Sequence, residues 1–181
     1  MKNNSAIKSI IVLVAICAFI AAAMAGVNML TKDRINQNQI EKERIALKEV
    51  VKENADFEKI ENLDQLPASV VAVYRDLDGE GIAMLLSAKG YDASNPISIA
   101  VGFDNDGNIE GVYVISATGE TKGIGSKVNN SSFLNQFIGK SDVGEVDTIS
   151  GATISSSAFK QAIADACEVF ARVAESEAQN D

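Results

Sequence analysis

Eighteen consecutive residues without a charge, IIVLVAICAFIAAAMAGV from Ile10 to Val27, set the first limit on what this 181-residue chain can become. A helix needs about 20 such residues to cross a hydrocarbon core of roughly 30 Å, so a membrane span is expected here. Lys2 and Lys8 precede the run with no acid, whereas Lys32-Asp33-Arg34 follows it with mixed sign. The positive-inside bias then puts the amino end in the cytoplasm and the bulk of the chain outside, as a single-pass protein of the cell (inner) membrane. A cleaved signal peptide is the competing reading, because Ala23-Met24-Ala25 fits a small-x-small cleavage site. The length of the run favours the uncleaved anchor. Ile16, just before Cys17, is too large for a lipobox.

Composition narrows the chemistry. Sixteen Lys and Arg stand against 25 Asp and Glu, a formal charge of -9. No basic stripe is available to follow a phosphate backbone, so nucleic acid is not an expected partner. The chain has no His and no Trp, which removes the usual proton shuttle near neutral pH and the commonest metal ligand. Its two cysteines, Cys17 and Cys167, are too far apart in sequence for a CxxC pair, and a Cys-rich metal site is not available. Neither catalytic side chains nor metal ligands are expected, so any reaction must use borrowed chemistry. Residues 32–181 keep 14 basic and 25 acidic side chains, a net of -11 on the exported part.

The pattern divides the chain into an anchor (residues 1–31), a helical linker (32–66) and a folded domain (67–181). Thr31–Leu63 lacks Gly and Pro and carries Ile35, Ile40, Ile45, Leu47 and Val51 at helical spacing, with Pro67 as the stop. Strands are expected at Val70–Tyr74 and Ile82–Ala88 around an Asp78-Gly79 turn, and at Ile97–Phe103 and Ile109–Ile115 around Asp104–Asn108. That last loop is acidic, but an EF-hand needs Gly sixth and Glu twelfth. Counted from Asp104, Gly107 is fourth and Ile115 twelfth, so the segment reads as a tight turn. Ser155–Val173 closes the domain as a helix whose stripe is Ala158, Phe159, Ala162, Ile163, Ala166 and Phe170, with Cys167 and Val169 beside it and a frayed tail after Val173. The fold class is α+β: a transmembrane helix continuing into a long helix, then a mostly antiparallel sheet packed by the carboxyl-terminal helix.

Two segments could hold a ligand. Asp147-Thr148-Ile149-Ser150-Gly151-Ala152-Thr153 runs into the last helix, where small residues permit a tight turn and the first-turn amides make an anion site. The same hydroxyls equally serve as simple helix caps. Thr118–Gly125, TGETKGIG, holds three glycines and can lie flat against a planar ligand or be an ordinary turn. It is neither a P-loop nor a dinucleotide fingerprint.

Together, the DxxSGAT element, the ETxGxG loop some thirty residues before it and the PIxIxVGFDxDGxIxGVxV hairpin resemble the covalent FMN-binding domain family. The resemblance covers roughly Gly90–Ala162 and is nearest to the G subunit of Rnf electron-transport complexes and the C subunit of sodium-pumping NADH:quinone reductase. It implies FMN joined through its phosphate to the Thr153 hydroxyl, with Ser150, Gly151 and Ala152 giving the tight approach. It also implies that Asp147 is presented to a magnesium-dependent flavin transferase that uses FAD as donor. Glu120, Thr121, Gly123, Ile124 and Gly125 match the family's ETPGLG loop, expected beside the flavin. Two positions depart from the pattern: Lys122 replaces the usual proline, and Thr118 stands where many relatives have histidine. Lys122 either loosens the loop or adds a cation that favours anionic reduced flavin.

The resemblance implies an electron-transfer subunit without independent catalytic activity, relaying electrons among the membrane and peripheral subunits of an Rnf-type ferredoxin:NAD+ oxidoreductase that pumps ions. The alternatives are the quinone-reductase subunit, whose chain is generally longer, and a membrane-anchored scaffold in which Thr153 is a cap and the Gly loop holds a peptide.

Overall fold

The computed structural model describes residues 3–51, 56–61, 63, 65–77 and 81–178. The elements are α1 (Asn3–Val50), β1 (Phe57–Lys59), β2 (Val70–Asp76), β3 (Ile82–Ala88), β4 (Ile97–Phe103), β5 (Ile109–Ser116), a 3-10 helix (Gly125–Asn129), α2 (Ser131–Leu134) and α3 (Thr153–Ala178). The architecture is α+β, with an antiparallel sheet in the order β1-β2-β3-β4-β5. The turn expected at Asp78-Gly79 lies outside the described residues.

The chain forms two compact units, Met1–Glu41 and Lys42–Asp181. In the first, the apolar run is helical with its large side chains exposed, Phe19 and Leu30 among them. Among the described residues this is the one helix long and apolar enough to cross a membrane.

In the second unit the helix stops at Val50 rather than at Pro67. Within the stretch expected to be helical, Phe57–Lys59 is a strand paired with β2, Phe57 opposite Asp76 and Lys59 opposite Tyr74. Phe57 packs with Tyr74 against a small apolar cluster, and this tertiary contact outweighs the helical propensity of the flanking residues.

Both faces of the sheet are covered, which is why β3, IAMLLSA, is buried along almost its whole length. Met84 and Leu86 face the main core, and Ala83 and Leu85 face the end of α1 through Ala46, Leu47 and Val50. The α1 contact needs a nearly bare sheet surface. Gly102 and Gly111 are direct partners across β4 and β5. A Cβ on Gly102 would fall 2.0 Å from the Val50 carbonyl oxygen, and one on Gly111 would fall 2.7 Å from Val50 Cα.

On the other face, α3 buries Phe159, Ala162, Ile163, Ala166, Val169 and Val173. Val169 belongs to the core rather than beside it, and the helix continues through the tail expected to fray, as far as Ala178. Phe133, Phe137 and Phe159 meet at centroid distances of 5.2–5.6 Å and tie the segment after the 3-10 helix to α3. At the far end of the β4–β5 hairpin, the Asp104 carboxylate accepts hydrogen bonds from the amides of Asp106 (3.0 Å) and Asn108 (2.7 Å) and from Asn108 Nδ2. Partial burial acts to raise the Asp104 pKa, but the Asn108, Asp106 and Gly107 hydrogen bonds outweigh it and hold the carboxyl below its ordinary value. The segment is therefore a turn organised by its own first residue.

Candidate functional site

Three loops meet at the amino end of α3: the β3–β4 connection through Gly90 and Tyr91, the loop after β5 that carries Glu120–Gly125, and the Asp147–Ala152 segment. Each is shaped by a small number of bonds that the sequence makes possible.

In the last of these, Ile149–Ala152 is a β-turn closed by the Ala152 amide onto the Ile149 carbonyl at 2.9 Å. Gly151 has φ +79°, the only positive φ in the turn, as the third position of a type II turn requires. Ser156 locks the turn to the helix, because its Oγ accepts from the Ile149 amide (3.0 Å) and donates to the Ala152 carbonyl (2.9 Å). The Asp147 amide donates to Gln136 Oε1 at 3.0 Å, and Lys160 Nζ donates to the carbonyls of Gly144 (2.7 Å) and Val146 (2.8 Å). The Asp147 carboxylate is thereby held on an exposed, fixed stretch of backbone.

The second loop repeats the device. The Ile124 amide donates to the Thr121 carbonyl at 3.1 Å, and Gly123 has φ +74° at the third position of the turn. Lys122 occupies the second position, where proline suits a type II turn. The turn is closed with Lys122 in that place. Lys122 itself is exposed. Thr118 is also exposed, its hydroxyl 3.4 Å from that of Ser116, and it does not line the cleft described below.

Glu120 joins its own loop to the β3–β4 connection and to the first turn of α3. It is 6% exposed. Its Oε1 accepts from the Tyr91 amide at 3.0 Å, and its Oε2 accepts from Ser155 Oγ. Gly90 and Gly125 let the backbone close around the carboxylate: a Cβ would lie 2.0 Å from Oε1 at Gly90 and 2.4 Å from Oε2 at Gly125.

Between these loops lies a cleft of about 470 Å³ lined by Tyr91, Thr121, Ile124, Gly125, Gly151, Ala152, Thr153, Ile154 and Ser155. That volume falls within the roughly 300–1,000 Å³ of ordinary ligand sites. The sequence-derived residues Thr121, Ile124, Gly125, Gly151, Ala152 and Thr153 come together in its wall. Ser150, Gly123 and Asp147 lie outside the lining, and Glu120 stands behind it. Tyr91, Ile154 and Ser155 are additional. A lone aromatic in a polar loop gave no signal for Tyr91, although the Gly before it marks a close backbone approach.

Thr153 is the first residue of α3, so Ala152 and not Thr153 occupies the capping position. The Thr153 side chain is exposed, and its hydroxyl makes no hydrogen bond to any described residue. The first-turn amides of α3 have no intrahelical acceptor and carry the positive end of the helix dipole toward the same spot. No lining side chain is charged. The chemistry offered is a reactive-capable hydroxyl beside an anion-stabilising helix end, with exposed apolar surface from Ile124 and Ile154 on the rim. A ligand with a phosphate at one end and a flat apolar body fits that arrangement.

Residues 90–168 match the FMN-binding domain family, and residues 1–50 match the RnfG N-terminal region. The chain is 27% identical to the G subunit of the ion-translocating oxidoreductase complex of Methanosarcina acetivorans, over 90% of its own length and 94% of the relative's. It is 28% identical to the G subunit of the Na(+)-translocating ferredoxin:NAD(+) oxidoreductase complex of Acetobacterium woodii, covering 84% of this chain and 79% of that one. The G subunit of the ion-translocating oxidoreductase complex of Stutzerimonas stutzeri is likewise 28% identical, over 87% and 77% of the two chains.

Proposed function

Because this chain joins an RnfG N-terminal region to an FMN-binding domain, we propose that it is the membrane-anchored flavoprotein subunit of an Rnf-type ion-translocating ferredoxin:NAD+ oxidoreductase. It carries FMN in phosphoester linkage to Thr153 and relays electrons between neighbouring subunits. The observation that carries this reading is the exposed Thr153 hydroxyl, free of any described partner, at the head of α3 in the cleft wall.

The residues present suit the group. Gly151, at φ +79°, has open space where a side chain would stand, which leaves the turn clear beside the Thr153 oxygen. The first-turn amides of α3 stabilise the phosphate charge. Ile124 and Ile154 shield the flat ring system, and Gly125, packed on Glu120, keeps the loop backbone close behind them. Bound there, FMN supplies the redox chemistry, and the protein supplies position and electrostatics.

A threonine hydroxyl is too weak an acid to attack a diphosphate unaided. The Glu120 carboxylate behind the cleft is committed to Tyr91 and Ser155. The base and metal therefore come from a separate FAD-dependent transferase. Asp147, held outside the cleft by Gln136 and Lys160, is the side chain offered to that enzyme. The amino terminus lies in the cytoplasm and the flavin domain outside it, where covalent attachment prevents loss of FMN.

The test is Thr153→Ala in the assembled complex. Membranes should lose ferredoxin:NAD+ electron transfer while the subunits still co-purify. Undiminished electron transfer with this variant in place would contradict the proposal.

A further inference from the structure

Tyr91 is unusual among the aromatic residues of this chain. It is 70% exposed although it borders the cleft that holds Thr153. Water-facing aromatics on mobile loops carry little meaning, but the backbone here is fixed on both sides. The Tyr91 amide is bonded to buried Glu120, and Gly90 before it cannot take a side chain without striking the same carboxylate. After it, Asp92 holds the turn by accepting from the Ser94 amide (2.9 Å) and Asn95 Nδ2 (2.7 Å). Glu120 also holds Ser155, two residues beyond Thr153 in the first turn of α3. Tyr91 and the first turn of α3, which begins at Thr153, are thus tied to one side chain, and the exposure of Tyr91 is not loop disorder.

On the reading that FMN is attached at Thr153, we infer that Tyr91 is a flavin-contacting residue: its phenol packs on the isoalloxazine and closes the cleft over it. An extended π-system takes a rigid aromatic partner at low entropic cost, and Ile124 on the Gly-rich loop and Ile154 in the first turn of α3 add apolar lining to the same cleft. Tyr91 is the one aromatic among the described residues that line the cleft, and the chain has no Trp. Tyr74 packs against the α1 side of the sheet, and Tyr113 is on β5 outside the lining. A phenol in van der Waals contact with excited flavin quenches its emission by lending an electron that then returns. Tyr91 should therefore dominate the fluorescence of the folded protein.

The full-length chain is produced with the flavin transferase, in detergent, as wild type, Tyr91→Phe and Tyr91→Ala. Covalent flavin is read first, as fluorescence of the band on a denaturing gel. Native emission is then divided by the emission of the same sample after unfolding, and quenching by iodide is measured on the folded protein. Equal gel bands are expected in all three, with a severalfold rise of the native-to-unfolded ratio in both variants. Phe should keep iodide out as well as Tyr does, and Ala should admit it. A purely structural role for Tyr91 would not raise emission in the Phe variant. Fluorescent bands with ratios and iodide quenching unchanged from wild type would overturn the Tyr91 assignment alone. A dark wild-type band, with the transferase active on another substrate, would overturn the attachment at Thr153 and this inference with it.

Discussion

Glu120 and Ser155, 35 positions apart in sequence, are hydrogen-bonded in the buried layer beneath the cleft, carboxylate to hydroxyl. The bond joins the Gly-rich loop to the first turn of α3, and the other carboxylate oxygen holds the Tyr91 amide. Removing the side chain leaves two donors without an acceptor at a site where water has little access. Glu120→Ala should cost about 1–3 kcal/mol for each of them. Glu120→Gln should cost less, because its amide oxygen still accepts one bond and its NH2 can donate to a rotated Ser155 hydroxyl. Thermal unfolding of the two variants checks the order, and Gln no better than Ala would contradict it.

Much of this layout was legible in the sequence. Four of the five strands were placed by the turns between them and the α3 stripe by its period of 3.6, and most of their hydrophobic residues lie in the core. β3 was found by its apolarity, but the reason for it was not, because the covering helix belongs to a segment far upstream. Gly102 and Gly111 read individually as weak strand residues, and only their pairing shows that they seat Val50. The end of α1 was placed too late because nothing local stops a Glu- and Lys-rich stretch, whereas the pairing of Phe57 with Asp76 does. In the site, several motif residues line one cleft, but their spacing could not tell a wall residue from a support. Glu120 lies behind the cleft, and Tyr91 has no motif to announce it.

The Gly102–Gly111 pair gives a second prediction. Either substitution to Ala sets a methyl against Val50 backbone and should cost about 1–3 kcal/mol through forced displacement of the α1 end. Both displace the same turn, so the double variant should cost less than the sum. Strict additivity in denaturant titrations would show that the two glycines do not share one contact.

Lys122 stands where a type II turn accommodates proline, and its amide donates to none of the described residues. Lys122→Pro should therefore stabilise the folded chain by about 0.4–1 kcal/mol by restricting the unfolded one. A lower melting temperature would show that the turn is not of this type.

Cys167 lies half-buried on α3. Burial first, then the negative charges of Asp142 and Glu168, push its thiol up to about 11 from 9.0. A thiol protonated more tightly in the folded state contributes stability that is complete below pH 9 and is lost as pH rises through about 11. At pH 8, in a Cys17→Ser background, alkylation of the folded chain should be about a hundredfold slower than of the unfolded chain, following the thiolate fraction. Equal rates would contradict the assigned environment.

The central claim is that FMN is bonded to Thr153, and in-gel flavin fluorescence under denaturing conditions addresses it most directly. The full-length chain is made with and without the transferase, beside Thr153→Ala and Asp147→Ala. Fluorescence should require both the transferase and Thr153, and should weaken in Asp147→Ala while the melting temperature of that variant stays near wild type. The Thr153→Ala chain should remain folded, because Ala152 already occupies the capping position. A band that stays fluorescent in Thr153→Ala would contradict the account.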